Sequence, residues 1–247
     1  MRICKLVPGV LAAGLAFAIA MPAAAQFGGL VGGGKKDGVD VGKALAAGTD
    51  LIGYVTVATA LGNQAADLLV DMYPPEKMVD IANISKAAAG AKAKAPNGNV
   101  DAEQMKAVED KSAILAKMQA DGQLKDYKKD KLGNVSKAYG KLGLMVLADG
   151  VAGTKIKPTV DGLQAALNQV SKDPTQAGKL ESIKYQIATL TAVGAALPKQ
   201  VSSANTVRSI CSQISAAEKV PMPADLSADK VKDLPALKTA SIASDGP

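Results

Sequence analysis

Apolar residues recur at every third or fourth position through most of this chain, and no run shows the strict alternation of a strand. The first stripe reads Val41, Leu45, Ile52, Val55, Leu61, Leu68, Leu69 and Met72. It stops at Tyr73, ahead of Pro74 and Pro75, which cannot continue a helix. A helix from Asp40 to Met72 would be about 50 Å long at ~1.5 Å per residue. Its middle, residues 51–66, carries no charge. That segment is short for a membrane span and rich in Thr, Asn and Gln, so it is read as the central helix of a bundle.

Six further stripes follow. Residues 76–94 place Met78, Ile81, Ala82, Ile84, Ala88 and Ala89 inward and end at the turn signal Pro96-Asn97-Gly98. Asp101 with Gln104 three residues on reads as a capping box opening a third helix, whose stripe is Met105, Val108, Leu115 and Met118, closed by Asp121-Gly122. A fourth, over residues 124–152, steps through Leu132, Val135, Tyr139, Leu142 and Val146, with Gly133, Gly140, Gly143 and Gly150 inside it. Pro158 is expected to open a fifth, carrying Val160, Leu163, Leu167 and Val170 and broken by Asp173-Pro174. A sixth, residues 176–197, carries Leu180, Ile183, Ile187, Leu190, Gly194 and Leu197, and Pro198 is expected to break it. A seventh, residues 199–217, places Val201, Ala204, Val207, Cys211 and Ile214 inward. The short breaks late in the chain predict antiparallel neighbours. The expected fold is all-α: an up-and-down antiparallel bundle of six to seven helices, two of them long, over residues 40–217.

The two ends do not fit this pattern. Residues 1–25 open with Arg2 and Lys5, continue with an apolar run and end in Ala23-Ala24-Ala25, the form of an export signal cut before Gln26. An uncleaved anchor is the competing reading, disfavoured because Pro8 and Pro22 shorten the usable helix. Cys4 precedes the apolar run, so it is not read as a lipid-attachment site. Residues 26–39 are too glycine-rich to hold a helix and read as a flexible leader. Residues 218–247, with Pro221, Pro223, Pro235 and Pro247, read as an extended tail.

Composition narrows the chemistry. Of the 29 basic residues, Arg2 and Lys5 lie in the signal segment and none of the 23 acidic ones does, which leaves a mild basic excess spread along the chain. Arg208 is the single arginine beyond the signal. Nucleic-acid readers rely on the arginine fork and on exposed aromatics, and aromatics are 3% of this chain, so no nucleic acid is expected as a partner. There is no His, which removes imidazole acid–base catalysis and imidazole metal ligation. Cys211 is the lone cysteine after the signal and falls on the inner face with Val207 and Ile214; it is read as a core residue, with pairing to a second chain as the alternative.

No phosphate loop, zinc motif, calcium loop or cysteine pair occurs with its structural context. The glycines of residues 28–34 follow no strand. Asn83-Ile84-Ser85 and Asn134-Val135-Ser136 match a glycosylation acceptor but fall inside helices. The densest charge is Lys125, Lys128, Lys129 and Lys131, interleaved with Asp126 and Asp130, and it reads as a solvated face. No catalytic, cofactor-binding or metal-binding residue is assigned. The chain is therefore read as a non-catalytic protein of the periplasm or extracellular space, with a binding or structural role in the cell envelope and a protein partner there. The alternative is a lipid- or membrane-interacting bundle that associates weakly with anionic lipid through its lysines.

Overall fold

The computed structural model describes residues 39–94 and 102–224. The signal segment, the leader up to residue 38, the Pro96-Asn97-Gly98 turn, the Asp101 cap and the tail beyond residue 224 lie outside the described residues. Within them the protein is all-helical, with five α-helices and no strand. These are α1 (Val41–Val70), α2 (Val79–Lys94), α3 (Ala102–Ala120), α4 (Gly133–Val170) and α5 (Leu180–Glu218). Short 3-10 turns at Pro75–Lys77, Gln123–Lys125, Lys129–Lys131 and Pro174–Lys179 join them.

Several boundaries follow local chemistry. Asp40 caps α1 by accepting a hydrogen bond from the Lys43 amide at 3.0 Å. The turn before Pro74 is pinned by Lys128, whose amide donates to Met72 O at 2.8 Å. Gly122 leaves α3 with φ 71°, the left-handed region that glycine enters without strain. Asp173 accepts from the Thr175 amide at 3.0 Å, from its hydroxyl at 2.6 Å and from the Gln176 amide group at 2.9 Å. These bonds, led by the Thr175 hydroxyl, hold its carboxyl below the usual range.

Two expected boundaries do not exist. Pro158 and Pro198 each sit inside a continuous helix, so the expected fifth helix is the second half of α4, and the sixth and seventh are one helix, α5. The fourth starts later than expected: residues 123–131 form two 3-10 turns, and α4 begins at Gly133. A proline inside a helix forfeits a hydrogen bond and costs about 3 kcal/mol. Both prolines are exposed, so their rings stand on the solvent side of the helix. Stopping would also expose the stripe that continues beyond them. Leu163, Ala166 and Val170 after Pro158, and Ala204, Val207 and Ile210 after Pro198, are all buried, each of the larger ones contributing ~1.5–3 kcal/mol.

α1 packs against α3, α4 and α5, α4 against α5, and α3 against α2 and α5. Gly62 abuts Met145 and Gly48 abuts Leu163, so α1 and α4 run in opposite directions. Gly194 abuts Ile156, and Arg208 stacks on Tyr139, so α4 and α5 do the same. Cys211 is fully buried, as its helical phase predicts. Beyond α5 the chain turns at Lys219 (φ 56°), and Met222 packs on the core.

The glycines of α1 set how closely α4 and α5 approach. A methyl at Gly48 would overlap the Gln186 amide, which donates to Leu45 O at 3.2 Å and to Thr49 Oγ1 at 2.9 Å. Gly48→Ala should lose ~1–3 kcal/mol of stability despite the better helix former. Gly150→Ala, which meets nothing within 4 Å, should gain ~0.5–1 kcal/mol. Urea unfolding of both variants checks the contrast; shifts of the same sign would refute the close-approach role of Gly48.

Candidate functional site

Most inner positions of the stripes are apolar; beside Gln186 and the Ser112–Ser203 contact, two groups of polar exceptions stand out. The first is a cleft of about 210 Å³ between α1, α2 and α3, lined by Thr56, Asn63, Asp67, Ser85, Gln104 and Lys111 among others. Lys111 occupies the α3 stripe between Val108 and Leu115 and is 1% exposed. Its ammonium lies 2.7 Å from Asp67 Oδ1, and the Ser85 hydroxyl donates to the same oxygen at 3.0 Å. Asp67 itself is half-exposed, so one end of the pair faces water. Asn63 donates to Thr59 O at 3.2 Å and to Gln104 O at 3.1 Å, tying α1 to α3. Gln64, which also lines the cleft, accepts from the buried Lys141 ammonium of α4 at 2.7 Å.

The charged and hydroxyl groups of the cleft are engaged with one another. Ser85 directs its proton at Asp67, and Lys111 and Asp67 offset each other's charge. The lining side chains include no second carboxylate. Among the described residues no three of His, Cys, Asp or Glu converge where a metal ion could sit. Burial pushes the Cys211 thiol up to about 12, and full burial keeps it from a second chain in this conformation.

The second group is inside the core. Thr59 on α1, Asp149 on α4 and Gln200 on α5 are each no more than 2% exposed. Gln200 Nε2 donates to Thr59 Oγ1 at 3.0 Å, while Gln200 Oε1 and both Asp149 oxygens have no hydrogen-bond partner. With Met145 opposite Gly62 and Leu163 opposite Gly48, the turn of α4 that carries Asp149 lies level with Thr59. The α4–α5 pairs Tyr139–Arg208 and Ile156–Gly194 put it level with Gln200 as well. Burial without a cation pushes the Asp149 carboxyl up to about 8.

The sequence reading gave Gln104 a capping role with Asp101, which lies outside the described residues, and assigned none to Lys111, Asp67, Asp149 or Gln200. One signal was available: Lys111, Asp149 and Gln200 each fall in phase with an apolar stripe. The Val201 position expected to face inward is half-buried, and Gln200 takes the inner place beside it.

Two predictions follow from these geometries. Lys111→Ala removes a buried stem and its ion pair and should cost ~2–4 kcal/mol, while Lys111→Met, which refills the space, should stay within ~1 kcal/mol of the parent. Thermal unfolding distinguishes them, and an equal loss in both would show that the charge, not the packing, matters. For Asp149, the unfolded chain gives up its proton near the ordinary value of 3.8, while the folded protein keeps it to about 8. Folded protein therefore binds more protons across that window, and stability falls as pH rises through it, by at most ~1.4 kcal/mol per pH unit. The depressed carboxyls of Asp71, Asp173 and Glu218 act in the opposite sense and only under acid conditions. Urea midpoints between about pH 5 and 8 should therefore fall in the parent and stay level in Asp149→Asn; parallel slopes would refute the assignment.

Comparison with protein-family models, with curated proteins and with solved structures finds no match, so the functional reading rests on these residues alone.

Proposed function

We propose that this chain is exported and works in the periplasm or outside the cell as a non-catalytic helical bundle, in up-and-down antiparallel order, that binds a protein partner or serves a structural role in the envelope. The observation that carries the reading is the enclosure of α1. Leu51, Ile52, Val55, Ala58, Leu61 and Ala65 are 0–3% exposed, so the most apolar segment of the described chain is spent inside the protein. Among the described residues Val79 is the exposed large hydrophobic side chain. Such a surface suits a folded particle that meets its partner through polar and mixed contacts.

The lipid reading keeps one observation of its own. An 18-residue window of α1 has mean hydropathy 1.4, enough to cross a membrane by length and composition, and half of it is buried. The residues of α1 left partly open include Thr56, Ala60, Asn63 and Gln64, and that face is too polar to favour acyl chains.

Fractionation of cells expressing the full chain, with N-terminal sequencing, tests the first reading. A product outside the cytoplasm that begins at Gln26, and a discrete adduct on cross-linking in the envelope, are expected; full-length protein in the cytosol would overturn it. Flotation of the same product with anionic liposomes separates the two readings. No co-flotation is expected, or co-flotation abolished by salt, the mark of lysine attraction alone. Co-flotation that survives high salt would replace the first reading with the lipid one.

A further inference from the structure

The core is two apolar clusters rather than one. The first holds Val57 to Leu69 of α1, Val135 to Ala148 of α4 and Ala204 to Ile214 of α5. The second holds Val41 to Val55 of α1, Ala152 to Val170 of α4 and Ile183 to Leu197 of α5. α4 and α5 pass from one cluster to the other between Ala148 and Ala152 and between Leu197 and Ala204, the stretches that hold Asp149 and Gln200; α1 passes between Val55 and Val57, and Thr59, just inside the first cluster, lies level with the other two. The helices are weakened there too. Pro198 stands two residues before Gln200, and Gly150, Gly153 and Pro158 follow Asp149.

We propose that this polar layer is a proton-operated joint: with Asp149 neutral the two apolar clusters stack as one rigid body, and with Asp149 ionised the crossing segments of α4 and α5 loosen between them. A neutral carboxyl carries one donor, and Gln200 Oε1, level with it, is an acceptor without one. An ionised carboxyl has no donor to receive and must draw water into the layer.

No charge on the packed helices takes up that role. α1 is uncharged from residue 51 to 66, and its nearest acid, Asp67, is held by Lys111 of α3. On α5 the nearest cation, Lys199, is mostly exposed and lies 3.6 Å from Glu109 of α3; Arg208 sits on Tyr139. On α4 itself Lys141 reaches Gln64, and Lys157 reaches Asp161. Lys155 lies on the same helix, between Asp149 and Lys157, and carries an interaction of its own. Cys211 on α5 belongs with the first cluster, away from the crossing, and Tyr54 on α1, beside the Val55–Val57 step, is partly buried against the first cluster. Burial is accordingly the sole cause acting on Asp149.

Hydrogen exchange of the full chain, read by mass spectrometry from about pH 6 to 9 and corrected for intrinsic rates, tests the joint. Protection over residues 148–158 and 194–204 should fall by up to about tenfold per pH unit on approach to the Asp149 midpoint and level off above it. Protection over residues 61–69 and 183–190 should stay above that of the crossing at every pH and fall no faster than the global stability that urea unfolding reads. In Asp149→Asn the crossing segments should keep their protection at every pH; Asp149→Ala serves the same purpose if the asparagine variant does not fold. Protection at the crossing equal to that of both clusters at every pH would overturn the joint and leave Asp149 a determinant of global stability only. So would protection at the crossing that ignores pH, or pH dependence that persists without the carboxyl.

Discussion

The uncharged middle of α1 constrains everything around it. Residues 51–66 offer no group that water solvates strongly except Thr, Asn and Gln side chains, so the helices beside them must bring apolar faces along the whole length. α1 spans 30 residues, about 45 Å at ~1.5 Å per residue. Covering it takes helices as long or longer, and α4 and α5, at 38 and 39 residues, supply them. Their length is a consequence of what they cover. A break at Pro158 or Pro198 would save about 3 kcal/mol of proline penalty and uncover several side chains worth ~1.5–3 kcal/mol each. Continuation wins by a wide margin.

That comparison also explains which parts of the fold were legible in the sequence. The stripes of α1, α3 and the late helices lie where their spacing put them, and Pro74-Pro75 and Asp173-Pro174 do end helices. At those sites a second element agrees with the proline: the Met72 carbonyl held by Lys128 in one case, the Asp173 cap in the other. At Pro158 and Pro198 nothing agrees. No capping residue stands beside either, and the stripe keeps its phase across both. Leu190, Val193, Leu197, Gln200, Ala204, Val207 and Cys211 step by three or four without a gap. Proline marks a boundary when cap and stripe stop with it; alone it marks an exposed position on a helix whose other side is still needed. The late start of α4 has a different cause. Lysines and aspartates at residues 125–131 have no stripe to obey, and their ion pairs to Lys77, Asp71 and Glu218 fit turns as well as a helix.

The candidate sites were hidden for a related reason. A polar residue in an apolar stripe reads as noise when the stripe is scored as a whole, yet it is the expensive event. Lys111 and Asp149 show the two outcomes. Lys111 meets Asp67 at the edge of the cleft, where water still reaches the carboxylate, so the ammonium is paired without a full desolvation penalty for both charges. Asp149 meets no cation, and holding its proton is the cheaper state. The same substitution of charge for a methyl group thus yields an ion pair in one place and a neutral acid in the other. What decides between them is whether the facing turn of α1 is charged, as at Asp67, or uncharged, as at Thr59.

The distribution of polar groups around α1 bears on its environment as well. A helix that hides from water inside protein can tolerate Thr56, Asn63 and Gln64 wherever neighbouring helices or a wet cleft satisfy them. Here most of them are satisfied: Thr56 donates to Ile52 O, Asn63 to Thr59 O and Gln104 O, and Gln64 accepts from Lys141, while Asn63 Oδ1 is left without a partner. In a bilayer the same side chains would need partners on every exposed side. Two of the cross-helix partners, Gln104 and Lys141, come from α3 and α4, so inserting α1 alone would strip it of the bonds that make its polar residues affordable. The hydrogen bonds that knit α1 to its neighbours therefore weigh against release of this helix, whatever its hydropathy, and in favour of a particle that acts with its core closed.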